Sequence, residues 1–135
     1  MRVSFLAAMT LTMLSAIFVA AQEQEHADEP HKLGRQKIGD YTVSVIMIGE
    51  AEAGHTVEFD IKLFDNDKDP KALRVWVGLE DGKGSDKVQL QKKTTTFGGK
   101  VKVPDPKPQA SKVWVEVETE NGVAKGSYVV EEHKH

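Results

Sequence analysis

The chain of 135 residues contains no cysteine. The fold therefore has no disulfide framework, and the chain has no cysteine that could carry a lipid anchor. An excess of positive charge is also missing, because 18 Lys and Arg stand against 21 Asp and Glu, which gives a net charge of -3. A chain without a basic field attracts neither nucleic acid nor anionic lipid, and we expect neither as a partner. Stability must come from an ordinary apolar core, which a domain of roughly 95 residues can supply.

Charged residues are absent from Val3 to Gln22, an apolar run that follows the single cation Arg2. Such a run is typical of a secretory signal peptide, and Val19-Ala20-Ala21 supplies the small residues that a cleavage site requires. We therefore expect removal of residues 1–21 and export of the mature protein, to the periplasm or outside the cell. An uncleaved membrane anchor is the alternative, because the run approaches the ~20 residues that span a bilayer. Membrane contact would then be through this segment alone.

The mature chain begins with a polar stretch, residues 22–37, which has almost nothing to bury. We expect a flexible, disordered tether there. From residue 38 onward the pattern changes to an alternation of apolar and polar residues, and it is clearest where Val57, Phe59, Ile61 and Leu63 share one parity. That alternation predicts an extended strand with one buried face.

Shorter runs of the same kind recur along the chain. They predict strands at 41–48, 56–64, 73–79, 87–91, 100–103, 112–119 and 124–130. Turn signals separate these strands, among them Asn121-Gly122, the pair that favours a two-residue hairpin. Seven short strands and no helical segment predict an all-β fold, a seven-stranded antiparallel immunoglobulin-like sandwich over residues 38–131. Residues 132–135 form a His/Lys tail.

Two loops carry parts of known ligand sites without the required spacing. The stretch "GLEDGKGS" at 78–85 has a Gly-Lys near a Ser, but a phosphate loop needs a longer spacing, an adjacent Lys-Ser pair and a following helix. The stretch "DNDKD" at 65–69 has alternate carboxylates like a calcium loop, but Pro70 replaces the required Gly and Trp76 replaces the final Glu. We expect both stretches to be turns.

Histidine is the remaining source of metal ligands. His26 and His31 lie in the predicted tether, His55 opens the second predicted strand, and His133 and His135 end the chain. If the seven strands alternate in direction, His55, His133 and His135 share one pole of the sandwich, whereas His31 starts at the other. Imidazoles bind copper or zinc, so these three residues are a candidate metal site. The alternative interpretation is a surface histidine beside a charged, solubilising tail.

The two tryptophans form a second candidate site. On both of their predicted strands the aliphatic residues claim the core face, so Trp76 and Trp114 are expected to point outward. The third and sixth strands of an immunoglobulin-type sheet are neighbours, which would join the two indoles in one patch with Arg74 stacked near them. Such a patch is either a flat binding surface for a partner or a sugar, or cross-strand packing.

Three stretches give the chain a family resemblance: "AGHTVEFDIKL" early, "KALRVWVGLEDGKGS" in the middle and "FGGKVKVPDPKPQASKVWVEVE" late. Over roughly residues 38–130 their order resembles the YtkA-like and FixH-like exported bacterial domains. The resemblance implies a β-sandwich, and some members of that group occur beside copper-handling or respiratory-oxidase components. Its usual members carry a Met/His-rich turn after the third strand. This sequence has residues 80–85 there instead, which removes that implied copper ligand set.

Catalysis is the least favoured function. Nucleophilic chemistry needs a Ser or Cys with a base in reach, yet cysteine and a nucleophile elbow are both absent, and His55 is the only histidine inside the predicted domain. The sequence therefore predicts a noncatalytic exported binding or accessory module for an unknown protein or small ligand. A periplasmic copper or zinc carrier that uses the terminal histidines is the alternative, and an enzyme comes third.

Overall fold

The structure, a computed structural model, describes residues 29–130. The predicted signal peptide, the first residues of the predicted tether and the C-terminal residues, including His133 and His135, lie outside the described residues. Between residues 29 and 130 no helix is long and apolar enough to cross a membrane.

Two antiparallel sheets pack face to face around one apolar core. Within residues 29–130 nine strands form them: β1 Pro30–Ile38, β2 Tyr41–Ile48, β3 Thr56–Phe64, β4 Ala72–Gly78, β5 Val88–Gln89, β6 Gln91–Lys92, β7 Phe97–Lys102, β8 Lys112–Thr119 and β9 Gly122–Tyr128. The first sheet has the order β1-β2-β3-β7-β6, and the second has the order β5-β4-β8-β9. The predicted all-β class and antiparallel pairing are confirmed for the described residues.

Local alternation located most strands accurately. The bounds of β2, β3 and β8 agree with the predicted ranges, while β4, β7 and β9 begin one to three residues earlier than predicted. The number of strands differs, since residues 29–130 contain nine rather than seven. The predicted strand at 87–91 is divided in two, because the chain leaves the second sheet after β5, buries Leu90 in the core and joins the first sheet as β6.

The prediction of a flexible tether is wrong for residues 30–37, which belong to β1. This edge strand pairs with β2 from Pro30 opposite Ile48 to Ile38 opposite Tyr41, with a register shift between Lys32 and Gly34. An edge strand with a solvated outer face is held by backbone hydrogen bonds to its neighbour, so its side chains need no long apolar alternation. The folded domain therefore includes residue 30 onward.

The core lies between the inner faces of the two sheets. Val57, Phe59 and Ile61 of β3 are at most 1% exposed, as the alternation predicted. The Tyr128 hydroxyl at the end of β9 donates a 2.8 Å hydrogen bond to the Val43 carbonyl of the opposite sheet, and burial raises the pKa of Tyr128. These contacts join the two layers through both apolar packing and a buried polar bond.

On one side of the sandwich, β1 of the first sheet packs against β9 of the second. Gln36 Nε2 donates a 2.6 Å hydrogen bond to the Ser127 carbonyl across this side of the sandwich. A Cβ atom at Gly126 would lie 2.8 Å from Ile38 Cδ1, so only glycine allows the strands to approach this closely. As a result, the end of β1 is held beside the second half of β9.

Candidate functional site

One pole of the sandwich brings together the end of β2, the start of β3 and the end of β9, as the strand directions predicted. The loop at 49–55 is fastened to the end of β7, because Gly54 donates to the Val103 carbonyl and Val103 donates to the His55 carbonyl. The added strand β1 also begins here, since it runs antiparallel to β2 and places His31 opposite Met47. The prediction that His31 starts at the other pole is therefore wrong.

Two histidine–carboxylate pairs lie at this pole. His31 Nε2 is 3.5 Å from Glu50 Oε2, with the His31 side chain 24% exposed, and His55 Nδ1 is 3.5 Å from Glu52 Oε2 in a more exposed pair. No three His, Asp or Glu side chains within residues 29–130 gather closely enough to hold a metal ion. The other two members of the predicted metal site, His133 and His135, lie beyond the described range.

A groove of ≈ 530 Å³ opens beside His31, between β1 and the segment that follows β9. Its apolar lining includes Leu33, Met47 and Val130, while His31, Lys32 and Glu50 supply its polar groups. Leu33 reaches it from the irregular part of β1, where the register shifts between Lys32 and Gly34. A concave apolar surface with a few converging polar atoms is the usual form of a ligand-binding site.

The predicted pairing of the two tryptophans is confirmed, because Trp76 of β4 lies directly opposite Trp114 of β8. Their exposure is not as predicted, since Trp76 is 0% exposed. The loop at 79–87 covers its indole: Nε1 donates a 2.7 Å hydrogen bond to the Leu79 carbonyl, and the Lys87 ammonium lies 4.3 Å from the ring centroid. The aromatic residue thus points outward from the sheet but not to solvent.

Glycines and a serine close this loop over the indole. Gly78 has a φ of +150° and Gly82 a φ of +74°, conformations that other residues seldom adopt. Ser85 Oγ donates a 2.9 Å hydrogen bond to the Val77 carbonyl, and a Cβ at Gly78 would collide with that hydroxyl. The stretch "GLEDGKGS" is therefore a cover for Trp76, in agreement with its prediction as a turn.

Arg74 does not stack on the indoles. Its guanidinium donates 2.8 Å hydrogen bonds to Glu118 and Glu116 of β8, and these two bonds raise the pKa of Arg74, Glu118 contributing most. Lys87 is also 3.5 Å from Glu116, so the outer face of the second sheet is occupied by an internal network of ion pairs. The geometry favours packing over the predicted aromatic binding patch.

The outer face of the first sheet carries a cationic surface that sequence reasoning missed. Directly opposed residues share a face, so the strand register places cations of β1, β3 and β7 on the same side as Glu58 and Asp60. We call this surface the basic face, and its exposed cations are Lys32, Arg35, Lys37, Lys62, Lys93, Lys100 and Lys102. The alternation of residues in the sequence could have identified the outward cations of β3 and β7. The cations of β1 were missed because residues 30–37 were predicted to be a tether and not a strand.

The YtkA-like and FixH-like resemblance remains a prediction from the sequence. Comparisons of the chain with protein-family models, with curated proteins and with solved structures find no match.

Proposed function

We propose that the mature protein is a noncatalytic, exported binding module built on an immunoglobulin-like sandwich, related to the YtkA-like and FixH-like domains. The strand orders support the fold assignment. With β1 set aside as an added edge strand, β2-β3-β7-β6 corresponds to the A-B-E-D sheet of that fold, and β5-β4-β8-β9 corresponds to the C′-C-F-G sheet. Loops at the ends of such sandwiches are the usual place for binding residues.

The groove beside His31 is the observation that carries the binding function. Its apolar lining offers area to a hydrophobic group, and the His31–Glu50 pair places an imidazole and a carboxylate at fixed positions beside that lining. The strands β1 and β2 position this pair, because His31 lies opposite Met47 and Glu50 follows the end of β2. We infer that the ligand has an apolar body and a single polar group that contacts the pair.

Screening with a library of small apolar–polar fragments, followed by amide NMR spectra, tests this groove. We expect fragment-induced shifts to concentrate on Leu33, Met47 and Glu50. The substitution His31→Ala should weaken binding about tenfold, the value of one hydrogen bond to a charged group. The matched control is His55→Ala, which removes a histidine of the same pole outside the groove and should leave the affinities unchanged. Shifts that cluster elsewhere, or that survive His31→Ala, would contradict the assignment.

A second candidate function is the carriage of copper or zinc. The observation that favours it is the distance of 3.5 Å between His31 Nε2 and Glu50 Oε2. Two ligands of a tetrahedral zinc ion, each about 2.0–2.1 Å from the metal, lie roughly 3.4 Å apart, so this pair has nearly the spacing of one edge of such a site. Val130, the last described residue, lines the same groove.

Calorimetric titration of the mature protein with zinc(II) and copper(II) tests metal carriage. We expect a defined stoichiometry that is lost when His55, His133 and His135 are replaced together by Gln. Separately, Glu50→Gln should weaken binding about tenfold or more, because it removes a charged oxygen ligand. Glu120→Gln, at the exposed turn between β8 and β9, is its matched control. Tight binding that survives the triple replacement would exclude the predicted histidine site. Equal effects of the two glutamate variants would exclude the His31–Glu50 pair.

A further inference from the structure

The basic face concentrates positive charge in a chain that is acidic as a whole. It holds seven exposed cations against three carboxylates, those of Glu58, Asp60 and Asp65, the last of which accepts a hydrogen bond from the Thr42 hydroxyl. The excess is four positive charges, whereas the complete chain has a net charge of -3. The net charge of the whole chain therefore does not reveal this concentration of positive charge on one face. A field of one sign on one face attracts a surface of the opposite sign and speeds its association.

Several of these cations have no acidic partner in the structure. Among residues 29–130, the side chains of Lys37, Lys100 and Lys102 form no ion pair, and Lys93 lies 3.8 Å from Glu58 in a loose one. Other lysines of the chain are engaged, for example Lys87 with Trp76 and Glu116. The charge of the basic face is thus left available for an external partner.

An uncharged column runs through the middle of this charged surface. The outward residues of β2 are Thr42, Ser44, Ile46 and Ile48, all half-buried. The cations of β1 border this column on one side. On the other side, the cations of β7 lie two strands away, roughly 10 Å at the usual spacing of about 4.8 Å between strands. A weakly apolar centre with a charged rim is the usual composition of a protein–protein interface.

Other polyanions fit this surface less well. Nucleic-acid bases stack on exposed aromatic rings, but Phe64, the aromatic residue of this face, lies beneath Arg35 at 4.5 Å and Lys62 at 5.3 Å. Insertion into a membrane needs exposed apolar side chains, and the large exposed ones among the described residues are elsewhere, at Leu79, Val123 and Val129. The central Glu58 and Asp60 also repel a ligand with uniform negative charge.

We propose that the basic face docks an acidic region of a partner protein, whose carboxylates lie over the two cation rows and whose uncharged centre covers β2. Protection of a free sheet edge from aggregation explains lysines on β1, which is an edge strand. It does not explain Lys62, Lys100 and Lys102, because β3 and β7 are interior strands. This surface shares Lys32 with the groove beside His31, but Lys37, Lys62, Lys100 and Lys102 do not line that groove, so each proposal can fail without the other.

Binding of a fluorescent glutamate–alanine copolymer to the mature protein tests the docking surface. We expect binding that weakens as salt is added, and an affinity at least about tenfold lower when Lys37, Lys62, Lys100 and Lys102 are all replaced by Glu. The matched control replaces Lys68, Lys71, Lys83 and Lys112 by Glu. It changes the net charge equally but spares the basic face, so its affinity should fall less than about twofold.

Three outcomes would overturn the proposal. Equal losses in the two variants would show that only net charge matters. Tighter binding of double-stranded DNA or heparin than of the copolymer would assign the face to a phosphate or sulfate polymer. Retention on phosphatidylglycerol vesicles at salt concentrations that release the copolymer would assign it to a membrane. A circular dichroism spectrum of each variant verifies that it folds before its binding is compared.

Discussion

Replacement of Trp76 by alanine is expected to lower the free energy of unfolding by about 3–5 kcal/mol, the usual cost of removing a fully buried large aromatic side chain. Its indole is 0% exposed even though it projects from the outer face of the second sheet. The substitution removes the side chain against which the loop at 79–87 packs. It also removes the hydrogen bond to the Leu79 carbonyl and the contact with Lys87. Urea unfolding measures the loss.

Trp114→Ala is the matched control for this prediction. Trp114 lies directly opposite Trp76 but is only half-buried, and its Nε1 donates a longer, 3.2 Å hydrogen bond to the Gly78 carbonyl. We expect its loss to cost roughly 1–2 kcal/mol, because less apolar surface returns to water. The fluorescence of the two variants tests the same difference in burial. The Trp114→Ala variant, which keeps Trp76, should resist quenching by iodide, whereas the Trp76→Ala variant, which keeps Trp114, should be quenched. The reverse order would mean that the loop does not cover Trp76.

Phe59→Ala is expected to have an effect of similar size, a loss of about 3–5 kcal/mol. Phe59 occupies the centre of β3 on the inner face and is 0% exposed, so its removal leaves a cavity between the two sheets. A domain of this size has a total stability of about 5–15 kcal/mol, so such a loss removes a large part of it. Thermal and urea unfolding would both detect it.

Phe64→Ala provides the comparison within the same strand. Phe64 has the opposite parity, is half-buried on the basic face, and contacts Arg35 and Lys62 through its ring. Removing a partly exposed ring with these cation contacts should cost only about 1 kcal/mol. Equal losses at Phe59 and Phe64 would contradict the assignment of inner and outer faces, on which the basic face also depends.

The sequence predicted the candidate site only in part. Strand order and alternation correctly paired Trp76 with Trp114, and strand direction correctly placed His55 at the pole that receives the end of β9. The burial of Trp76 was missed because it depends on a loop that folds back over the sheet, and no periodicity in the sequence records that path. His31 was assigned to the wrong pole because the sequence analysis had no β1.

The sequence by itself determined which side chains of the main strands face inward. Alternation is a local property, since successive residues of an extended chain point to opposite sides, and therefore Val57, Phe59 and Ile61 are in the core as predicted. Tertiary structure alone decided the strand character of residues 30–37, the cover over Trp76 and the gathering of cations on the basic face. Each of these depends on pairing between segments distant in the chain, through backbone bonds and register that side-chain composition does not encode.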